Sequence, residues 1–181
     1  MSGMQRILVF AGSAIGNQPA HLEAAQALGR EIGRRGHGMV YGGADRGLMG
    51  ACADAALAAG AEVIGVLPRA LATREIAHRG LTQIRIVKSM AERKAVMGAL
   101  ADAVVALPGG IGTLDELFEV LCERALQTHQ KPVGLFDAGA YWQPMLRFLE
   151  QARADGLIGE HGLSHLEVRD AAGPLLDALG A

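Results

Sequence analysis

Short, wholly apolar runs alternate with longer amphipathic stretches along most of this chain, and that alternation limits its possible folds more than any other feature. The short runs predict β-strands, and the longer stretches predict helices. Strands that are apolar at every position are covered on both faces, as they are in parallel sheets. The sequence therefore predicts an α/β fold, a doubly wound Rossmann-like parallel sheet flanked by helices on both faces.

The predicted strands and helices follow one another in regular order. Strands are predicted at 7–11, 38–41, 62–67, 84–87, 103–107 and 133–136. Helices are predicted at 21–35, 48–59, 90–101, 113–126 and 140–155, and the tail adds an edge strand at 166–169 and a closing helix. A length of 181 residues is ordinary for one domain with a sizeable core. Residues 1–181 are therefore predicted to form a single nucleotide-binding domain.

Charge and composition argue against several classes of protein. The net charge is −2 with both signs scattered along the chain, so no broad basic field is available for nucleic acid. No apolar run approaches the ~20 residues that span a membrane, and the N-terminal run is too short for a signal peptide. We therefore expect a soluble, cytoplasmic protein with no nucleic-acid or membrane partner.

The cysteines and histidines show no metal-binding pattern. Cys52 and Cys122 lie in predicted helices without CxxC spacing, so reduced, buried thiols are expected. The six histidines form no H-x-x-x-H motif and no Cys/His cluster. No metal site is predicted.

Three glycine-rich loops, at 12–16, 42–47 and 108–113, each follow a predicted strand. In open parallel sheets, ligands bind outside the carboxyl ends of the strands where the winding reverses. The loops are therefore predicted to line one crevice, where Gly12 and Ser13 offer an amide and a hydroxyl. The middle loop is equally consistent with a strand-to-helix connection that packs small residues.

The loop at 108–113 passes from a strand through glycines into a helix, so backbone amides and the helix dipole converge on one point. That geometry binds phosphate. The alternative is a tight turn followed by a capping box, since Thr113 and Glu116 fit S/T-x-x-E at a helix start. No lysine follows the glycines and no GxGxxG follows a strand, which argues against ATP hydrolysis and nicotinamide chemistry.

A second signal lies at 89–94. Ser89 and Glu92 fit a capping box, which places Arg93 and Lys94 in the first turns of a helix. Two cations there oppose the helix dipole and are better tolerated beside an anion, which arginine can bind through two hydrogen bonds. A solvated basic pair is the alternative, and spacing alone does not pair Arg93 with Glu116.

These motifs together resemble the LONELY GUY family of cytokinin riboside 5′-monophosphate phosphoribohydrolases, formerly described as possible lysine decarboxylases. The PGGxGTxxE motif of the family matches 108–116, its M-x-x-R-K element matches 90–94, and its YGGG-x-x-GLMG loop matches 41–50 with Ala44 at the third glycine. The similarity extends over residues 6–160. Glu123 and Arg124 stand where many members have an aromatic and a small residue, which leaves the base preference open.

The resemblance implies that Arg93 and Glu116 are the essential pair and that the amides of 109–113 hold a 5′-phosphate. It also implies a homodimer whose site is completed across the interface. With the loops, it gives the following predicted substrate-binding residues: Gly12, Ser13, Gly42, Gly43, Glu75, Met90, Lys94, Gly109, Gly110, Ile111, Gly112, Thr113 and Thr128.

The predicted function is hydrolysis of the N-glycosidic bond of purine nucleoside 5′-monophosphates to free base and ribose 5-phosphate, without cofactors. Cleavage builds positive charge on the ribose, which a carboxylate near C1′ stabilises, and Glu116 is the candidate. AMP and N6-substituted cytokinin nucleotides both remain open as substrates. The alternative is a non-catalytic phosphate-ligand carrier, such as a molybdenum-cofactor carrier protein. A decarboxylase needs a Schiff-base lysine, for which no motif is present.

Overall fold

The computed structural model describes residues 5–72, 77–159, 161 and 163–181, and its central feature is a parallel sheet of seven strands. The order across the sheet is β4-β3-β2-β1-β5-β6-β7, and every neighbouring pair is parallel. The strands are β1 (Arg6–Phe10), β2 (Gly38–Tyr41), β3 (Val63–Pro68), β4 (Gln83–Val87), β5 (Ala103–Ala106), β6 (Val133–Phe136) and β7 (Leu166–Arg169).

Helices connect the strands and cover the sheet. They are α1 (Pro19–Arg34), α2 (Gly47–Ala58), α3 (Arg69–Ala72), α4 (Met90–Leu100), α5 (Ile111–Ala125), α6 (Gln143–Ala154) and α7 (Ala172–Ala178), with a 3-10 turn at Ala138–Ala140. The predicted α/β doubly wound fold is confirmed, including the edge strand and closing helix of the tail. The short helix α3 was not predicted, because four residues show no helical periodicity.

Alternate residues of β1 show how the two faces are filled. Ile7 and Val9 belong to a buried cluster with residues of α1, α2 and α7, whereas Leu8 and Phe10 belong to the cluster on the other face with residues of α4 and α5. Successive side chains of a strand point to opposite faces, so an apolar strand supplies both clusters at once. The winding reverses between β1 and β5, which places the predicted crevice between the loops that follow these strands.

One of the two thiols differs from the expectation that both are buried. Cys52 is buried, but Cys122 is exposed, because it lies on the outer side of α5. Within the described residues, no helix is both long enough and apolar enough to span a membrane.

The end of α5 places a strained residue at a position that glycine usually occupies. Gln127 has a φ of 60°. The amides of Gln127 and Thr128 donate to the carbonyls of Arg124 and Glu123, at 2.9 and 3.0 Å. This is the Schellman arrangement, in which the left-handed residue is most often glycine.

We expect Gln127→Gly to raise the free energy of unfolding by about 0.5–1 kcal/mol, because glycine adopts positive φ without the steric cost that other residues meet. Thermal denaturation measures this as a small rise in Tm. The control is Gln130→Gly in the same exposed connection, where φ is not positive. It should lower Tm or leave it unchanged, and an equal rise in both variants would contradict the strain argument.

Candidate active site

A cavity of about 240 Å³ lies at the carboxyl edge of the sheet, between the loops that follow β1, β2 and β5. Its lining includes the following predicted site residues: Ser13, Gly42, Met90, Arg93, Gly110, Ile111, Gly112, Thr113 and Glu116. Met49 and Asp115 also line it, although the sequence pattern did not single them out. Three loops and the starts of α4 and α5 therefore meet around one space.

The glycine loop, residues 108–113, leads into helix α5 at the wall of this cavity. Helix α5 begins at Ile111, and its first helical hydrogen bond runs from the Leu114 amide to the Gly110 carbonyl at 3.1 Å. The amides of 111–113 precede that bond and have no partner within the helix. Together with the helix dipole they form a site suited to an anion.

The capping box that was the alternative interpretation of Thr113 and Glu116 is not present. The residue that caps α5 is Gly110, whose backbone is extended and which has no side chain to cap the helix. Thr113 is therefore already inside the first turn and Glu116 lies in the second. Helix capping consequently gives no reason for a glutamate at 116.

Gly109 is required by the close packing of the loop. A Cβ there would lie 2.0 Å from Thr113 Oγ1 and 2.9 Å from the Gly12 nitrogen. The Gly12 amide donates to the Pro108 carbonyl at 3.0 Å, which ties the loop after β1 to the loop after β5.

The predicted cap at the start of α4 is present. Ser89 Oγ accepts a hydrogen bond from the Glu92 amide at 3.1 Å, and the Glu92 carboxylate accepts one from the Lys88 amide at 2.7 Å. The glutamate thus reaches one residue further back than in the usual box. Arg93 lies in the first turn of this helix and is only 9 % exposed.

The Arg93 guanidinium is hydrogen-bonded to the backbone of strand β3 and of the loop that follows β2. Its Nε donates to the Val66 carbonyl and its Nη2 donates to the Gly42 carbonyl, both at 3.0 Å. A Cβ on residue 42 would lie 2.0 Å from Nη2, so only glycine leaves room for this contact. Arg93 is therefore not part of a solvated basic pair.

The remaining nitrogen of Arg93 faces Glu116. Nη1 lies 3.8 Å from Glu116 Oε1, an ion pair that is too long to be a hydrogen bond. The Glu116 side chain is 16 % exposed. The carboxylate is thus held beside a fixed cation while its oxygens stay open to the cavity.

Burial shifts the pKa values of both members of this pair. It raises the pKa of the Glu116 carboxyl above its ordinary value, and the charges of Arg93 and Lys94 oppose that rise. It lowers the pKa of Arg93, which the Glu116 carboxylate opposes. Both effects come from loss of water, which also strengthens the field of each charge inside the cavity.

Comparisons with known proteins show which family the chain belongs to. The model of the family described as "Possible lysine decarboxylase" matches residues 49–179. The cytokinin riboside 5′-monophosphate phosphoribohydrolase LOG of Oryza sativa subsp. japonica is 44 % identical over 159 residues, 88 % of this chain and 66 % of the rice protein. The cytokinin riboside 5′-monophosphate phosphoribohydrolase of Rhodococcoides fascians is 44 % identical over 153 residues, 84 % of this chain and 77 % of that protein.

The chain belongs to this phosphoribohydrolase family. The family resemblance predicted from the motifs at 41–50, 90–94 and 108–116 is therefore confirmed. The prediction of an enzyme is confirmed at the level of the family. The relatives extend beyond the matched region, since the alignment leaves about a third of the rice protein uncovered.

Solved structures of other proteins share the fold. The molybdenum cofactor carrier protein of Chlamydomonas reinhardtii has a TM-score of 0.75 at 20 % identity, covering 98 % of this chain and 97 % of that one. The molybdenum cofactor binding protein of Rippkaea orientalis has a TM-score of 0.72 at 21 % identity, covering 99 % and 98 %. At such identities the likeness establishes the α/β architecture and nothing about the ligand.

Lys94 and Thr128 do not line the cavity that holds Arg93. Lys94 Nζ pairs with Asp115 at 2.7 Å and with Glu119, which joins α4 to α5. Thr128 donates to the Glu123 carbonyl at 2.8 Å beyond the end of α5. Both line a separate gap of about 340 Å³ between α4 and α5, and Glu116 lies on the walls of both spaces.

The other predicted residues have varied positions. Gly12 lines a neighbouring cavity with Ser13, and a Cβ on Gly43 would lie 2.8 Å from Leu67, so Gly43 serves close packing. Glu75 lies outside the described residues. Among those that are described, no cluster of His, Cys, Asp and Glu could hold a metal ion.

The positions that depart from the family pattern have structural contacts. The carbonyl of Ala44 accepts the Tyr41 hydroxyl at 3.1 Å, and Ala44 pairs with Ala77 in an isolated bridge. Arg124 donates to the carbonyls of Ser164 and Lys131, so it fastens the end of α5 to neighbouring segments. Its replacement of a small residue is thus accounted for by these bonds.

Proposed function

We propose that this protein hydrolyses the N-glycosidic bond of purine nucleoside 5′-monophosphates and releases the free base and ribose 5-phosphate. The observation that carries the proposal is the presence of the Arg93–Glu116 pair and the free amides of 111–113 on the wall of one cavity. The names of the relatives from rice and Rhodococcoides fascians support the same reaction.

The spacing along α5 suits a nucleotide. Glu116 follows Thr113 by three residues, which is a rise of about 4.5 Å along the helix axis. A 5′-phosphate held by the amides of 111–113 would therefore place the ribose beside the Glu116 carboxylate. Binding energy from the phosphate then orients C1′ against the reacting groups.

The chemistry follows from this placement. The bond from C1′ to the purine nitrogen breaks with its electron pair going to the base, and the oxygen of water forms the new bond to C1′. Ionised Glu116 stabilises the positive charge that builds on the ribose and accepts a proton from the attacking water. The departing base nitrogen, which keeps the electron pair of the broken bond, receives one proton in exchange, and loss of the accepted proton returns Glu116 to its ionised form, so no redox partner or cofactor is needed. Arg93 positions the carboxylate.

A homodimer is part of the proposal. Ile111 lines the cavity and is 82 % exposed, and Met90, also on the lining, is 45 % exposed. Large apolar side chains at the mouth of a polar site are typical of surfaces that a partner covers.

A cytoplasmic location also belongs to the proposal. The substrate is a charged nucleotide, which does not cross a lipid bilayer unaided because of the cost of desolvating its phosphate. The enzyme would therefore act in the compartment where nucleotides are made.

The test is to incubate the purified protein with AMP, N6-substituted AMP analogues and the other nucleoside monophosphates, and to measure free base by chromatography. We expect base release from purine substrates, and light scattering should give twice the monomer mass of 18.9 kDa. The ranking among purines decides between AMP and cytokinin nucleotides. Release of no base, with a pterin bound to the purified protein, would favour the carrier alternative instead.

A further inference from the structure

Tyr141 makes a polar contact with the glycine loop that the proposed mechanism does not use. It follows the 3-10 turn Ala138–Ala140, and its hydroxyl donates a hydrogen bond to the carbonyl oxygen of Gly109. The Gly110 amide belongs to the same peptide group, and it directly precedes the amides of 111–113 that are proposed to hold the 5′-phosphate. We propose that Tyr141 is a positioning residue that directs the Gly110 amide toward the phosphate.

The peptide group that joins Gly109 to Gly110 provides the mechanical link. None of the described peptide bonds is cis. In a planar trans peptide the C=O and the N–H point in opposite directions. Holding the Gly109 carbonyl on one side of the loop therefore turns the Gly110 amide to the other side.

The cavities on the two sides of the loop agree with this direction. Tyr141, His21 and Gly109 line a cavity of about 330 Å³. Gly110 lines that cavity and also the active-site cavity, whose lining does not include Tyr141 or Gly109. The carbonyl that Tyr141 holds thus belongs to the far side of the loop, and the next amides belong to the site.

Glycine at both ends of this peptide makes the restraint necessary. Two adjacent glycines can rotate their shared peptide with little steric resistance. A rotated peptide would turn a carbonyl oxygen toward the anion, where its negative end repels phosphate. The hydrogen bond from Tyr141 opposes that rotation.

Tyr141 is itself held in place. Its ring packs edge-on against His21 and Trp142, with centroid distances of 5.2 and 5.0 Å. Trp142 is 1 % exposed, and its backbone amide donates to the Asp137 carboxylate at 2.7 Å. These contacts hold the Tyr141 ring, and with it the hydroxyl, in one position, although the residue lies at the surface.

This inference rests on the phosphate site of the proposed function, and a binding measurement tests it without turnover. Titration calorimetry with ribose 5-phosphate should give a Kd about five- to tenfold higher for Tyr141→Phe than for the wild-type protein, the loss expected for one neutral hydrogen bond. The matched control is Ser164→Ala, which removes a hydroxyl that donates to the His161 carbonyl, away from the lining of the active-site cavity. Its Kd should equal that of the wild type.

The outcomes separate the two proposals. Equal affinity of Tyr141→Phe and the wild type, or equal weakening in Tyr141→Phe and Ser164→Ala, would overturn the role of Tyr141 and leave the phosphate site standing. A wild-type protein that does not bind ribose 5-phosphate would overturn the phosphate site and this inference together. Melting temperatures of all three proteins show that the compared samples are folded.

Discussion

Glu116→Gln should lower kcat/KM for a purine nucleoside monophosphate by at least about 100-fold, the usual loss when a positioned acid–base group is removed. Glutamine has nearly the same size and cannot accept a proton or carry the charge that stabilises the developing cation. Glu116 caps no helix, and its side chain is mostly buried, where a neutral amide loses less hydration than a carboxylate. The variant should therefore stay folded with an unchanged Tm. Steady-state kinetics and thermal denaturation measure the two effects separately.

The pH dependence adds a second readout. The ionised form of Glu116 is the active one, so activity rises with pH as the carboxyl loses its proton. Burial raises the pKa of this group above the ordinary 4.5, which moves the acidic limb of the kcat/KM profile toward neutral pH. The residual activity of Glu116→Gln should lack that limb.

The control for this prediction is Glu150→Gln, the same change on the exposed side of α6, which should keep wild-type activity. Full activity of Glu116→Gln at unchanged Tm would reject the carboxylate as the reacting group. Arg93→Ala is a less direct test, since it also leaves the Val66 and Gly42 carbonyls without their donor and should lower stability.

Removal of the 5′-phosphate from the substrate should be nearly as damaging as removal of Glu116. We expect kcat/KM for adenosine to fall at least about 100-fold below that for AMP, the cost of misplacing the reacting groups. The reason is the set of amides at 111–113, which precede the first helical bond of α5 and belong to residues that line the cavity. Both kcat and KM should change, because the phosphate orients the ribose as well as binding it.

Two further measurements sharpen this comparison. Ribose 5-phosphate should inhibit the reaction competitively, whereas ribose should not. Inorganic phosphate added with adenosine should restore little activity, since an untethered anion does not orient the ribose. Comparable kcat/KM for adenosine and AMP would show that the glycine loop is a structural turn.

Local sequence patterns predicted the structural features that depend on residues close together in the chain. The wholly apolar strands predicted the parallel sheet, since each such strand must be covered on both faces, and Ile7 and Leu8 do enter opposite clusters. The cap at Ser89 was predictable for the same reason, because its donor and acceptor lie within one turn. The start of α5 was predicted two residues late, since the extended backbone of Gly110 begins the helix without a capping side chain.

The sequence by itself determined the sheet, the glycine loops and the family resemblance, all of which are properties of short segments or of their order. Only the tertiary structure decided that Arg93 reaches across β3 and β2 to the Val66 and Gly42 carbonyls and faces Glu116. The tertiary structure also pairs Lys94, which does not line the cavity that holds Arg93, with Asp115 and Glu119. It brings the Tyr141 hydroxyl to the Gly109 carbonyl. These contacts join residues that are distant along the chain, and the order in which parallel strands lie side by side sets which loops meet at their carboxyl ends. Spacing in the sequence carries no record of that order.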